Sequence, residues 1–127
     1  MIQKTVLLVE DDLEIRDILQ DLLEQEGYDV VPASNGKQAL DFLTLNDPAR
    51  ADLVILDLMM PMVSGWQVLD KMKSDPVLTD IPVIVLSAVT RKKPEGAITF
   101  LRKPFSLKVL FDAIRTFIDR GPEPRAA

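Results

Sequence analysis

Thr5-Val-Leu-Leu-Val9, then Glu10-Asp11-Asp12, then Leu13 to Glu26: an apolar run, an acidic step and a helical pattern follow one another near the head of the chain. The run is too short for a helix, contains β-branched residues and is apolar on both faces, which marks a buried parallel strand. From Leu13 to Glu26, Ile15, Ile18, Leu19, Leu22 and Leu23 fall at i, i+3, i+4, i+7 and i+8 and make one apolar stripe. Leu13 lies off that stripe and is expected to be exposed. A buried strand followed directly by an amphipathic helix is the first unit of an α/β sheet.

The unit repeats along the chain. Leu53-Val-Ile-Leu56, Pro82-Val-Ile-Val-Leu86 and the weaker Ile98-Thr-Phe-Leu101 read as further buried strands. Tyr28-Asp-Val-Val31, after the helix-ending Gly27, reads as a more alternating one. Asn35-Gly36 opens a second helix carrying Ala39, Leu40 and Leu43, and Ser64-Gly65 a third carrying Val68, Leu69 and Met72; Asp47-Pro48 and Asp75-Pro76 end them. Ser106 caps the last helix, with Leu107, Leu110, Phe111, Ile114, Phe117 and Ile118 on one side, and Gly121-Pro122 stops it. This alternation predicts a doubly wound α/β fold, a five-stranded parallel sheet with helices on both faces. The link between Ser87 and Ile98 is different, because Pro94, Gly96 and the lack of an apolar stripe predict a helix that is shortened or absent.

A chain of 127 residues with 47% apolar side chains suits one domain, expected over residues 1–120 with a disordered tail at 121–127. The net charge of −5 disfavours direct nucleic-acid binding. Neither histidine nor cysteine is present, so the chain cannot carry its own phosphohistidine, and any cation has only oxygen ligands, which excludes a zinc site of the usual kind. With neither a secretory leader nor an apolar run of membrane-spanning length, the expected location is the cytoplasm without membrane insertion. Residues 1–64 hold four basic and thirteen acidic side chains, a net of −9, against +4 for residues 65–127. Acidity is concentrated early.

In such a sheet ligands bind beyond the carboxyl ends of the strands, where this chain places Glu10-Asp11-Asp12, Asp57, Ser87 and Lys103-Pro104. Several carboxylates at close range raise one another's pKa unless a cation compensates. Oxygen-only ligation with spare positions suits Mg2+ or Mn2+. A lysine opposite neutralises a transferring phosphoryl group, and a carboxylate beside the metal can act as nucleophile. Each residue alone has a plainer reading. Asp11 or Asp12 serves as a helix cap contributing roughly 0.5 to 1 kcal/mol; Asp57 sits in a turn, Ser87 ends a strand, and Lys103 is a solvated charge. Caps do not explain a Ser and a Lys after two further strands, so the joint pattern favours a site. Met59-Met60-Met62 reads as packing rather than a copper site.

Val9-Glu10-Asp11-Asp12, Asp57-Leu-Met-Met-Pro61 with Ser64-Gly65, Leu86-Ser87-Ala88 and Phe100-Leu-Arg-Lys103-Pro104-Phe105 together resemble a response-regulator receiver domain, over residues 3 to about 119. The resemblance implies a flavodoxin-like strand order, 2-1-3-4-5. It implies Asp57 as phosphoacceptor, Asp12 as principal metal ligand with Asp11 assisting and Asp57 sharing the ion, and the Met59 backbone carbonyl as a further ligand. It also implies Ser87 as the hydroxyl that holds the phosphoryl oxygen, Lys103 as its clamp, Phe100 as the switching aromatic, and a cis Lys103-Pro104 peptide. The donor it implies is a sensor histidine kinase or a histidine phosphotransfer protein; the downstream protein target and the oligomeric state stay open.

In that family positions 59 and 89 tune hydrolysis, so Met59 and Val89, which cannot orient water, predict slow autodephosphorylation by a switch that is not otherwise an enzyme. Leu13, Pro104 and Phe105, with Arg91-Lys92-Lys93 on the short link, are expected partner contacts, although Phe105 also fits a hydrophobic staple before the Ser106 cap. Three alternatives stand beside this reading. The switch is expected either to stand alone or to be the receiver of a larger regulator, and the first alternative is a degenerate receiver that serves only as an interaction module. Another is a Mg2+-dependent aspartyl-phosphate phosphatase, which needs an acid where Met59 stands. The third is a flavodoxin-like cofactor binder, whose phosphate two Asp residues after Val9 would repel.

Overall fold

Five parallel strands form the centre of the computed structural model, which describes residues 4–45, 51–60, 63–88 and 92–119. Along the chain run β1 (Thr5–Val9), α1 (Leu13–Gln25), β2 (Asp29–Ala33), α2 (Gly36–Leu45) and β3 (Leu53–Asp57). Then follow α3 (Gly65–Ser74), β4 (Val83–Ser87), β5 (Thr99–Arg102) and α4 (Leu107–Ile114), which a π-helical turn over Arg115–Asp119 prolongs. The strand order is β2-β1-β3-β4-β5, as the doubly wound reading requires. Val9 pairs with Leu56, Asp57 with Leu86 and Ser87 with Arg102, so the carboxyl ends of four strands meet along one edge.

Strand alternation divides the core into two layers. Leu7, Val9, Val54, Leu56, Val83 and Val85 pack with Ala39 and Leu43 of α2 and Val68, Leu69 and Met72 of α3. Val6, Leu8, Leu53, Ile55, Ile84 and Leu86 pack with Leu19 and Leu23 of α1 and Leu110 and Ile114 of α4. Every residue of β3 and β4 is buried, which is why their sequences are apolar on both faces. Side chains set the helix starts: Asp12 accepts from the Ile15 N–H, Ser106 from the Val109 N–H, and Ser64 and Gln67 form a reciprocal capping box.

The helical faces depart from the sequence expectation in two places. Ile15 and Ile18 belong to the apolar stripe of α1 yet are exposed, because the sheet covers only the part of the stripe that holds Leu19 and Leu23. On α4, Leu110, Ile114 and Ile118 are buried while Leu107 and Phe117 are exposed. The π turn winds wider than 3.6 residues per turn, so Phe117 rotates off the buried side that Ile118 keeps. Leu13 is exposed, as expected.

Among the described residues between β4 and β5 there are bends and one turn but no helix, and Gly96 takes a positive φ of 95° there. Pro94 and Ala97 are buried, and the Lys73 stem of α3 lies against Gly96. Asp47-Pro48, Pro61, Met62, Val89, Arg91, Gly121-Pro122 and the expected tail at 121–127 lie outside the described residues. No helix among the described residues is long and apolar enough to cross a membrane.

Candidate functional site

Alternation places the polar residues that follow the strands. Val6 and Leu8 lead to Glu10, Leu53 and Ile55 to Asp57, and Leu101 to Lys103, and these three polar residues line one cleft with Ile15 of α1. Glu10 continues β1 by donating its N–H to the Ala33 carbonyl at 3.0 Å, and Arg16 Nη1 holds the Glu10 carbonyl at 2.9 Å. Both carboxylic side chains are buried, Glu10 at 1% and Asp57 at 3% exposure. Lys103 Nζ lies 3.4 Å from Glu10 Oε1 and 3.4 Å from Asp57 Oδ2. The peptide that carries this lysine into Pro104 is cis.

Glu10, Asp11 and Asp57 each present an oxygen within 4.8 Å of the others. Three carboxyl groups with one lysine leave a deficit of positive charge, and an all-oxygen donor set of this kind fits a hard divalent cation. The acidic pair therefore sits one residue earlier than expected. Asp12 lines the mouth of the cleft, but its Oδ1 accepts the Ile15 N–H at 3.1 Å and caps α1, and it is outside the trio. Glu10 is the residue to which sequence reasoning assigned no role; the period-two alternation of β1, extended one residue past Val9, was the signal for it.

Ser87 is wholly buried at the end of β4, and half-buried Phe100 packs on the α2/α3 side. The Ser87 backbone is tied to the cleft, since the Lys103 N–H donates to the Ser87 carbonyl at 2.9 Å. Met59 donates its N–H to Asp57 Oδ1 at 3.1 Å and leaves its side chain 57% exposed. Lys92 and Lys93 are exposed on the link after β4.

Burial pushes the Glu10 carboxyl up from its ordinary 4.5 to about 7, the Asp57 charge adds to the rise, and Lys103 opposes it. Burial also works against the Lys103 charge, but Glu10 and Asp57 outweigh it and hold the ammonium above its usual range. Between pH 4.5 and about 7 folded Glu10 keeps a proton that the unfolded chain has lost, so stability present at low pH is lost as pH rises through this window. Glu10→Gln removes that dependence. Denaturant titrations of the metal-free protein should show wild type weakening across the window and the variant level, the two separating by on the order of 2 kcal/mol. A level wild-type profile would contradict the assignment.

Two cavities open at this edge. The acidic cleft has a volume of about 280 Å³. Beside it an apolar groove of about 550 Å³ is lined by Ile15, Ile18, Leu19, Pro104, Phe105 and Leu107. Pro104 and Phe105 stand where partner contacts are expected, and the exposed Ile15 and Ile18 join them; Leu13 is not among the lining residues.

The family model described as response regulator receiver domain matches residues 6–115. Sporulation initiation phosphotransferase F of Bacillus subtilis is 34% identical over 124 residues, which cover 93% of this chain and 96% of that protein. The phosphate regulon transcriptional regulatory protein PhoB of Pseudomonas aeruginosa is 33% identical over 96% of this chain. The match takes in 55% of PhoB, and the chain spans about half the length of several other curated relatives. The response regulator TrrA of Thermotoga maritima, solved in complex with Mg(2+)-BeF, superposes with a TM-score of 0.78 at 30% identity, covering 90% of this chain and 98% of that one.

Proposed function

This chain belongs to the response-regulator receiver family, and from that premise we propose that it is a signalling switch that accepts a phosphoryl group on Asp57 from a partner's phosphohistidine. The observation that carries the reading is the buried Asp57 carboxylate with Lys103 at 3.4 Å and with Glu10 and Asp11 in reach of one shared cation. Glu10, Asp11, Asp57 and the Met59 backbone carbonyl are the groups that would hold Mg2+ or Mn2+, and the Mg(2+)-BeF complex of TrrA supports Mg2+. A cation held there would supply positive charge to the phosphoryl oxygens. Incubation with acetyl phosphate and Mg2+ tests the proposal: intact mass gains a single phosphoryl, and no gain refutes it.

The chain's own groups perform the transfer. An Asp57 carboxylate oxygen attacks phosphorus in line, the P–N bond to the donor imidazole breaks, and its electron pair leaves with the imidazole. Lys103 stabilises charge on the phosphoryl oxygens throughout. The product adds about one negative charge to the site together with new acceptor oxygens. Ser87 donates its hydroxyl to one of these, and Phe100 turns inward, changing the outer surface of β5 for a downstream protein. The apolar groove docks a donor helix. Ile18→Asp should slow transfer from a cognate histidine phosphotransfer protein by about tenfold or more relative to labelling by acetyl phosphate; an unchanged ratio rejects that docking.

Return to the resting state is slow. The exposed Met59 side chain offers attacking water no hydrogen bond, and Val89 offers none either. Met59→Asn supplies one and should speed loss of the phosphoryl group about tenfold, a part of the roughly 10²–10⁴ available from general acid–base assistance. Timed mass spectrometry after donor removal reads the rate, and equal lifetimes would exclude Met59 as the control point.

A further inference from the structure

We propose that the apolar groove selects low-mass phosphoryl donors by the length of their acyl chain, so that acyl phosphates longer than acetyl phosphate label Asp57 faster. The inference rests on Asp57 as phosphoacceptor. It is carried by the continuity of the two cavities: Ile15, Ala88 and Lys103 line both. Lys103 stands at the junction, 3.4 Å from the Asp57 carboxylate on one side and bordering a groove whose other lining residues are all apolar on the other. At about 550 Å³ the groove falls within the roughly 300–1,000 Å³ of small-molecule sites. Ile18 at 56% and Leu107 at 41% exposure are free to cover a chain laid between them.

A molecule with a phosphoryl head and an aliphatic tail matches both compartments. The head meets Lys103 and the cation that Glu10, Asp11 and Asp57 would hold, and the tail covers apolar surface otherwise facing water. In the reaction a carboxylate oxygen of Asp57 forms a bond to phosphorus while the bond from phosphorus to the acyl oxygen breaks. The electron pair leaves with a free carboxylate, so the products are aspartyl phosphate and the fatty carboxylate, with no oxidant, reductant or proton required. In-line displacement sends the leaving carboxylate away from Asp57, so its chain leads out of the acidic cleft, and Lys103 is the cation available at the shared boundary.

Straight-chain acyl groups leave with nearly equal intrinsic ease, so differences in rate report recognition. Full burial of one methylene corresponds to about fourfold in binding, and in a groove open on one side about twofold is expected. Initial labelling by acetyl, butyryl and hexanoyl phosphate, each at the same low concentration with Mg2+, is followed by intact-protein mass spectrometry. The rates should rise in that order, hexanoyl phosphate exceeding acetyl phosphate about tenfold. Ile18→Asn and Leu107→Asn should each reduce the hexanoyl-to-acetyl ratio at least threefold, a ratio taken within each labelled, and therefore folded, variant. Equal rates for the three donors, slower labelling by the longer ones, or an unchanged ratio in both variants would overturn the inference while leaving Asp57 as phosphoacceptor. Labelling by none of the donors would overturn both.

Discussion

Asp57→Asn should abolish phosphorylation by acetyl phosphate or by a histidine phosphotransfer protein, while leaving the fold intact. Asparagine matches the carboxylate in volume and keeps an oxygen to accept the Met59 N–H, now made to Asp57 Oδ1 at 3.1 Å. What it lacks is a nucleophilic oxygen carrying negative charge, and neutral carboxamides do not displace at phosphorus at a useful rate. Glu10 and Asp11 do not replace it, because receiving the group there would take the phosphoryl from the Met59 amide and the β3 end that frame Asp57. The same change removes one of two carboxylates within 3.4 Å of Lys103, and it also removes the charge that helps raise Glu10. The metal-free variant should therefore be at least as stable as wild type near neutral pH. Labelling that persists in Asp57→Asn would place the phosphoacceptor elsewhere in the acidic trio.

Gly65→Ala should destabilise the protein by about 2 to 3 kcal/mol, lowering the melting temperature by about 10 °C. On propensity alone the change is favourable, since alanine exceeds glycine in a helix by about 1 kcal/mol. Sterics reverse the sign. A Cβ at Gly65 would lie 2.3 Å from the Asp57 carbonyl oxygen and 2.5 Å from the Leu58 Cα, both backbone atoms that no rotamer change can move. Gly65 also donates its N–H to the Leu58 carbonyl at 3.0 Å, so α3 starts directly on the residue that follows Asp57. Relieving the clash must shift either α3 or the end of β3, and phosphorylation by acetyl phosphate should slow as well. A melting temperature equal to or above that of wild type would show that the loop absorbs the methyl group.

Much of the fold was legible because its signals are local. Both-face apolarity identified β3 and β4 from Leu53–Leu56 and Pro82–Leu86 alone, and Ser64 and Ser106 marked helix starts that their side-chain hydrogen bonds account for. The absence of an apolar stripe after Ser87 foretold a link that, over its described residues, forms no helix. The misjudged residues are those whose surroundings come from distant segments. Ile15 and Ile18 satisfy helical periodicity, but the far side of their groove is Pro104, Phe105 and Leu107, which the sequence places some ninety residues away.

The acidic site divides in the same way. Residue type and position after a strand singled out Asp57, Lys103 and an acidic step after β1, because the carboxyl edge of a parallel sheet is where such residues converge. Which two of three consecutive acids face Asp57 could not follow from adjacency in the chain. Asp12 turns to cap α1, and Glu10 is carried inward by the pleat of β1 and held against Lys103. Sequence by itself determined the α/β class, the order of its elements and the oxygen-only chemistry, since periodicity and side-chain type act over a few residues. Only tertiary structure decided the register of the acidic pair, the raised Glu10 carboxyl and the groove that shares Lys103 with the cleft. Burial, charge proximity and cavity walls are properties of segments brought together by the sheet, and no single stretch of the chain contains them.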